Sequence, residues 1–160
     1  MPSSAIWSST RFFNPAICKV LWSPTLASHF SPTRAEINAS IDLTGEVAAI
    51  DGWVTTSDQI DVPPDMGAVY AGKLPGFTMH EDSALTFWAD IGSLDARLIL
   101  TERVTGYIIW MDGGDVPGYK MEVYPVQVRH VGPWRSDSQA ARLTVGFSIT
   151  TEPEMVAVPA

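Results

Sequence analysis

The sequence predicts a mainly β protein built as one domain. Short apolar runs separated by Gly, Pro and Asp recur along the 160 residues, which include twelve glycines and twelve prolines. Residues 105–131 form two apolar, β-rich runs around a turn of Gly, Asp and Pro, a pattern typical of a hairpin. Residues 142–150 alternate apolar and polar side chains, as a half-buried strand does. A chain of this length is suited to a single hydrophobic core.

The chain divides into an arm, a domain and a tail. Residues 1–17 are rich in serine with scattered aromatic residues, and we expect an N-terminal arm there. The β domain is expected over residues 18–151, beginning with a short strand at 18–22. Residues 152–160 are expected to form a C-terminal tail.

One short helix and a long strand are predicted next. Thr33 and Glu36 have the spacing of a capping box, which predicts a helix that starts there and reaches about Ala39. Residues 46–57 are then expected to form one continuous strand, with Trp53 among its bulky side chains.

The middle of the chain predicts a long loop followed by a strand and a second helix. Between residues 58 and 82 no hydrophobic period persists, and a loop of this length is generally functional or disordered. Residues 83–89 alternate again as a strand. Ser93 is placed to cap a helix running to about Leu100.

The first strand of the 105–131 hairpin is apolar on both faces over residues 107–111. A strand in a small domain usually exposes one face to water, so the second face must be covered by the same chain or by another copy. On the second strand the apolar positions change parity at Pro125, which predicts a bulge or an edge position there.

Charge and composition exclude several classes of protein. The net charge of −8, with 10 basic residues, argues against binding to a phosphate backbone. No apolar run approaches the ~20 residues of a membrane span, and the N-terminus has no secretion signal. Cys18 is the only cysteine, which excludes an internal disulfide and a cysteine-cluster metal site. We expect a soluble intracellular product.

Several short motifs have the spacing of a reactive site but lack the residues that its chemistry requires. Residues 67–73 spell a phosphate-binding loop, but Leu74 stands where the magnesium-binding hydroxyl belongs. The Asp112–Asp115 turn offers too few oxygens for calcium and fits a hairpin turn. His29, His80 and His130 are isolated, and no serine lies in a nucleophile elbow. We therefore predict no enzyme, no cofactor and no metal.

Four segments together resemble a known family. In order along the chain they are Pro32–Ile37, Asp65–Gly67, Glu81–Phe87 and Gly106–Asp115. Their order and spacing resemble the major tail tube proteins of long-tailed bacteriophages, and especially those of actinobacterial phages. The resemblance covers roughly residues 20–159.

The resemblance implies an antiparallel β-sandwich or partly closed barrel with one flanking α-helix and a long inter-strand loop. It also implies that six copies form a ring, that their strands line one inner β-barrel, and that rings stack into a tube for DNA. Implied partners are tape-measure and tail-tip or terminator proteins, and DNA that passes without specific binding. The implied location is the virion tail, assembled in the host cytoplasm without a membrane.

Three groups of residues are expected to serve such an assembly. The candidate inter-subunit loop contains Asp58, Asp61, Asp65, Met66, Val69, Tyr70, Lys73 and Leu74. The candidate inter-subunit strand contains Tyr107, Ile109, Trp110 and Met111. The candidate polar face, lining the lumen or facing outward, contains Lys120, Glu122, Arg142, Thr144 and Ser148.

Two alternatives share these observations. A tube or ring protein of a contractile-injection or secretion system would have the same fold and symmetry. A monomeric β-sandwich module could instead use some of the six tryptophans to bind a sugar or a protein ligand.

Overall fold

The computed structural model describes residues 10–160 and shows a mainly β fold with one α-helix. The helix α1 spans Arg34–Ala39. The strands are β1 (Lys19–Ser23), β2 (Ile41–Asp42), β3 (Val47–Asp51), β4 (Thr55–Asp61), β5 (Lys73–His80), β6 (Ser83–Trp88), β7 (Thr105–Met111), β8 (Lys120–Trp134), β9 (Arg142–Ile149) and β10 (Glu154–Ala157). Two short 3₁₀ turns cover Thr44–Glu46 and Ala96–Leu98.

Eight strands form one antiparallel sheet: seven lie in the order β2-β1-β7-β8-β9-β6-β3, and the eighth, β10, pairs with β8. The strands β4 and β5 form a separate two-stranded hairpin. The fifteen-residue β8 organises the sheet because several strands share it. Its first half pairs with β7 on one side and with β10 on the other. Its second half pairs with β9. The fold class predicted from the sequence is confirmed, although the sheet does not close into a barrel.

The larger hydrophobic core lies inside the curl of this sheet. Side chains from strands far apart in the sheet order meet there, including Trp22, Ile108, Phe147 and Phe87. Gly106 allows this close packing, since a Cβ on Gly106 would come within 2.4 Å of the Trp22 ring. A strand sequence that alternates apolar and polar residues can fill such a core from one face.

A second core covers the other face of β1, β7 and the first half of β8. Ile109 and Met111 are fully buried there against Ile37 of α1 and Val158 near the C-terminus. The capping box predicted at Thr33 fixes the start of α1, since the Thr33 side chain accepts from the N–H of Glu36 and the Glu36 carboxylate accepts from the N–H of Thr33. The expected helix is confirmed.

The second core shows what covers the second face of β7. β7 lies between β1 and β8, and its second face is covered by the same chain, not by another copy. Ile109, Trp110 and Met111 are buried within the subunit, and Tyr107 is partly buried. These four side chains therefore leave little surface for a neighbouring subunit within the described fold, and the inter-subunit role expected for them stays a prediction.

Three predicted elements differ from the structure. The strand expected over residues 46–57 is broken by a turn at Gly52, where positive φ ends the extended backbone. The loop expected over residues 58–82 is instead mostly the β4–β5 hairpin. Hydrogen bonds between its two strands define it, and the hydrophobic pattern of the sequence does not indicate them. The helix expected from Ser93 to Leu100 is only the 3₁₀ turn at 96–98, because Ser93 has φ of 61° and Asp95 provides the cap.

Pro125 marks a change of partner on β8. The strand pairs with β10 up to Val123 and with β9 from Val126. Pro125, which has no N–H to donate, lies between these two sets of hydrogen bonds. The bulge predicted near this proline lies instead between Val128 and His130. The apolar positions change parity because the second core ends there, not because the strand is interrupted.

Both ends of the chain were expected to lie outside the domain. Residues 1–9 of the expected arm lie outside the described residues, and residues 14–18 form a turn in which the N–H of Cys18 donates to the carbonyl of Asn14. The expected tail supplies β10 and the buried Val158, so it contributes to the sheet and to the second core. Among the described residues, no helix has the length and apolar character needed to cross a membrane.

Candidate assembly surfaces

The β4–β5 hairpin leaves the sheet at one end. β3 leads through Gly52–Val54 into β4, and β5 leads through Glu81 and Asp82 into β6, so the hairpin continues the β3–β6 strand pair. That end of the sheet, where Asp51 pairs with Ala84, is called the hairpin end. The end where Trp88 pairs with Arg142 is called the opposite end.

Trp53 fixes the base of the hairpin. Its ring packs edge-on against Trp110 and Tyr124 and tilts against Phe147, with ring centroids 5.6, 5.1 and 5.6 Å away. Its Nε1–H donates to the carbonyl of Ala84 at 3.2 Å. Trp53 holds these contacts with φ of 66°, a conformation that costs a bulky residue about 1–3 kcal/mol. The contacts offset that strain and set the direction in which the hairpin leaves.

Gly52 makes the turn beside Trp53 possible. It has φ of 76°, and a Cβ there would stand 2.2 Å from the carbonyl oxygen of Asp82. Only glycine fits both restrictions. The GW dipeptide at 52–53 is therefore a turn signal that the strand interpretation of residues 46–57 missed.

The hairpin exposes apolar side chains on one of its faces. Cross-strand pairing places Ile60 beside Leu74 on that face, each more than half exposed. The pairing register shifts between Ser57 and Gln59, and this bulge puts Phe77, which is 83 % exposed, on the same face. Since a soluble monomer seldom exposes contiguous apolar surface of this kind, the hairpin has the character of a contact element.

The structure brings all eight residues of the candidate inter-subunit loop onto this hairpin. Asp61 and Lys73 face each other across the strands with an ion pair of 3.3 Å. Asp65 shapes the tip, where its carboxylate accepts from the N–H of Gly67 at 2.9 Å. The side chains of Met66 and Val69 are fully exposed. The other residues of this group on the hairpin are Asp58, Tyr70 and Leu74.

A second exposed apolar surface lies at the opposite end of the sheet, on the loop that follows Trp88. Ile91 is fully exposed and Leu94 is 77 % exposed. In the helix expected to end near Leu100, Ile91, Leu94 and Leu98 would fall on one face. Gly92 and the acidic residues around it were the signal for an ordered turn.

Several strand edges of the large sheet pair with nothing in the described part of the chain: those of the short strands β2 and β10, and two others. β3 pairs only with β6, which leaves its outer edge free. Residues 129–134 of β8 pair only with β9, because β7 ends its pairing at Gln127. The two free edges bound a four-stranded segment in the order β3-β6-β9-β8.

The candidate polar face is divided between the two faces of the sheet. Arg142, Thr144 and Ser148 point away from the large core, because Leu143, Val145 and Phe147 between them are buried in it. Thr144 contacts Thr86 of β6 through their hydroxyls at 3.4 Å.

Lys120 and Glu122 share the side of Tyr124, whose ring belongs to the large core. The Glu122 carboxylate accepts from the Tyr124 hydroxyl at 2.6 Å. Burial first, and this carboxylate second, raise the pKa of Tyr124. Lys120 and Glu122 therefore lie at the end of the large core and are not part of the surface that contains Arg142.

Arg142 lies between two tryptophans on its face of the sheet. Its guanidinium carbon is 4.8 Å from the Trp88 ring centre and 5.2 Å from that of Trp134. The three residues are cross-strand neighbours on β6, β9 and β8. Cation–π contacts of this kind fix a charged side chain against a sheet surface.

One cleft, of about 580 Å³, lies between the hairpin base and the end of β9 and is lined by Thr78–Asp82 and 147–152. His80 and the acidic side chains in this lining are ordinary surface groups. No three histidine, cysteine or carboxylate side chains among residues 10–160 gather as a metal site. The surfaces with a distinctive chemistry are the apolar hairpin, the apolar loop and the free edges.

The described part of the chain is thus one large antiparallel sheet with free strand edges and an exposed apolar hairpin. The model of the phage tail tube protein family matches residues 9–160, and the chain belongs to that family. The family resemblance noted from the sequence is confirmed. The family is structural, and this places the chain among the components of a phage tail.

Solved structures with the same fold come from phage-like injection systems. The anti-feeding prophage baseplate, in a six-fold symmetrised cryo-EM structure, contains a chain with a TM-score of 0.61 and 13 % identity, covering 96 % of this chain and 100 % of that one. The sheath/tube terminator of the extracellular contractile injection system PVC has a TM-score of 0.58 and 12 % identity, covering 94 % and 100 %. At these identities the likeness establishes the fold. No match was found among curated proteins.

Proposed function

We propose that this chain is the subunit of a hollow phage tail tube, in which hexameric rings stack and DNA passes through the lumen during ejection. Membership of the tail tube family supports the proposal. The structural observation that carries it is the hairpin, which exposes Ile60, Leu74 and Phe77 together on one face. An exposed apolar hairpin on an otherwise well-packed domain requires a protein partner.

The free edges of the four-stranded segment supply the lateral contacts of the ring. An unpaired strand edge invites association with another chain unless it is covered. In the proposed ring, the outer edge of β3 in one copy meets residues 129–134 of β8 in the next. The segment then extends across subunits as one sheet around the lumen, and neither of these two edges remains free.

The surface of Arg142, Thr144 and Ser148 faces the lumen in this arrangement. It is the polar side of the four-stranded segment, since the other side forms the large core. A polar surface on a chain of net charge −8 gives passing DNA little of the counterion-release attraction that a basic channel would provide. Lys120 and Glu122 lie on the other side of the sheet and have no part in the lumen.

The function requires assembly and passage but no catalysis. Tape-measure protein inside the tube and tail-tip or terminator proteins at its ends are the proposed partners. The tube is built in the host cytoplasm and carried in the virion. A ligand-binding module is less well supported, since Trp22, Trp53 and Trp110 contribute to the core rather than to an exposed stacking platform.

Electron microscopy of the purified protein tests the proposal. We expect hollow striated tubes, or six-fold rings, from concentrated wild-type protein. Val69→Asp and Leu74→Asp place a charge on the exposed hairpin, and we expect both variants to fold normally and to form no tubes, because the charge would lose its hydration at the contact. Tubes of normal length from either variant would exclude the hairpin from the contacts. Dispersed wild-type monomers at every concentration would contradict self-assembly.

A further inference from the structure

A cavity of about 200 Å³ opens beside the hairpin base, on the side of the sheet that holds the large core. Three of its lining residues are aromatic: Trp53, Trp110 and Tyr124. The ring centroids of Trp110 and Tyr124 lie 5.6 and 5.1 Å from that of Trp53. Asp112 and Glu122 belong to the same lining. Aromatic rings and carboxylates around one space are surroundings that attract an organic cation.

Within residues 10–160, no basic side chain forms an ion pair with the two carboxylates of this cavity, Asp112 and Glu122. The Glu122 carboxylate accepts from the Tyr124 hydroxyl at 2.6 Å. Burial is the largest cause of the raised pKa values of Cys18 and Tyr124, and the Asp112 charge adds to both. The cavity is therefore a region of negative charge that the described part of the subunit leaves unbalanced.

The composition of the lining favours an organic cation over a metal ion. A calcium ion takes six to eight oxygen ligands, and this lining combines two carboxylates with aromatic rings. No three histidine, cysteine or carboxylate side chains of the described residues are grouped as metal ligands. An ammonium or guanidinium group needs fewer oxygens, because ring faces also attract it.

Trp110 contributes a hydrogen-bond donor as well as a ring. The residue is 7 % exposed, and its buried indole N–H has no acceptor among the described residues. A buried donor of this kind is usually paired with a protein group, a water molecule or a ligand. A ligand with a carbonyl oxygen a few bonds from its cation would supply the acceptor. Lysine and arginine residues within a polypeptide have that arrangement.

An adjoining cleft of about 240 Å³ continues the cavity, since Asn14, Ile50 and Trp110 line both. The rest of its lining is mostly apolar and consists of Pro15, Ala16, Cys18, Val20, Thr44 and Val47. The cavity and the cleft together form a groove with one acidic, aromatic part and one apolar part. Such a groove matches a polypeptide in which a basic residue stands beside an apolar one.

We propose that this groove binds an extended segment of a partner protein in which a lysine or arginine lies next to an apolar residue. The basic side chain enters the acidic, aromatic part and is paired with Asp112 and Glu122. The apolar side chain lies against Val47 and Ile50. The site goes beyond tube formation, because it gives the subunit a contact with a partner of opposite charge.

Saturation-transfer NMR tests the site, since it observes the signals of the ligand and works on single subunits and on large assemblies. The probe is N-acetyl-leucyl-lysine amide. Its matched control is N-acetyl-leucyl-norleucine amide, which keeps the methylene chain and lacks the charge. Choline tests whether a small quaternary ammonium is sufficient. We expect the lysine peptide to bind about tenfold more tightly than the norleucine peptide and more tightly than choline.

Two variants remove the charges of the groove and keep the size of its side chains. We expect Asp112→Asn and Glu122→Gln each to weaken binding of the lysine peptide about fivefold and to leave the norleucine peptide unaffected. Asp137→Asn is the matched control, since Asp137 is an exposed carboxylate in the turn between β8 and β9. It should bind the lysine peptide like wild type. Circular dichroism of each variant checks that the fold is kept.

Each other outcome would overturn part of the proposal. Equal binding of the two peptides, no binding of either at millimolar concentration, or unchanged binding in both carboxylate variants would exclude the cation site. Choline that binds as tightly as the lysine peptide would exclude a protein segment in favour of a small organic cation. If a carboxylate variant does not fold, the comparison of the two peptides on wild-type protein still decides. Tube formation is measured separately by microscopy.

Discussion

Replacing Trp53 by alanine removes the ring that packs against Trp110, Tyr124 and Phe147 at the base of the hairpin. Removal of a buried tryptophan typically costs about 3–5 kcal/mol of unfolding free energy. Trp53 is only partly buried, so the lower end of that range applies, and it includes about 1 kcal/mol for the hydrogen bond to Ala84. We expect a loss of about 3 kcal/mol, because the alanine also keeps the unfavourable positive φ.

The assay is urea unfolding followed by far-UV circular dichroism, which depends on the whole sheet and not on one fluorophore. For a domain of this size, about 3 kcal/mol lowers the unfolding temperature by roughly 6–12 °C. Trp53→Phe keeps an aromatic ring and loses the N–H donor, so we expect about 1 kcal/mol for that control. A Trp53→Ala variant within about 1 kcal/mol of wild type would refute the assignment of Trp53 as the anchor of the hairpin base.

Two further predictions concern groups with shifted pKa values. The hydrogen bonds of Arg97 first, and of backbone N–H groups in addition, lower the pKa of Asp95 to about 2, and its side chain is only 2 % exposed. Since the unfolded value is about 3.9, the ionised form stabilises the fold above about pH 4, and this is lost as the pH falls through 2. Urea titrations from pH 5 to pH 2 should show about 1–2 kcal/mol less acid destabilisation in Asp95→Asn, and identical pH profiles would contradict the reasoning. Burial, and to a smaller extent the charge and hydrogen bond of Asp112, raise the pKa of the Cys18 thiol to about 11. A disulfide reagent at pH 8 should therefore label Cys18 in urea and hardly at all in the native protein. Rapid labelling of the folded chain would argue against this burial.

Local signals in the sequence predicted the elements whose stability is local. The capping box at Thr33 and Glu36 identified α1, and the alternation along residues 142–149 identified β9. The apolar runs around residues 112–119 identified β7 and β8. In each of these segments hydrophobic pattern, turn chemistry and capping favour the same structure.

The elements that were predicted wrongly depend on contacts between residues distant in sequence, or on contacts that the monomer does not make. The bulge changes the parity of the apolar positions along β5 between Leu74 and Phe77, so the segment shows no single period of two. Its strands are defined by the cross-strand pairing that begins at Thr55 and His80. The loop at Ile91 shows helical spacing, yet the hydrogen bonds of Asp90 form a turn instead. A pattern that describes burial in the subunit cannot identify residues that the subunit leaves exposed.

Tyr107–Met111 show the converse case. The apolar character of both faces indicated correctly that both are covered, but the sequence could not say by what. α1 and the segment after β10 supply that cover from residues far away along the chain. The residues of the candidate inter-subunit loop lie on one element because they are close together in sequence. The residues of the candidate polar face lie on two faces of the sheet, because the two sides of a strand have different surroundings.

The number of strands between the two free edges has a consequence for how copies can join. The β3-β6-β9-β8 segment contains four strands, each antiparallel to the next, so its two outer strands run in opposite directions. A neighbour related by rotation about an axis along the strands therefore brings its β3 antiparallel to β8. The alternation continues across every junction for any number of copies, whereas a segment of three or five strands would create a parallel junction at each subunit boundary. The even count leaves curvature of the sheet, and not strand direction, to determine how many subunits complete a turn.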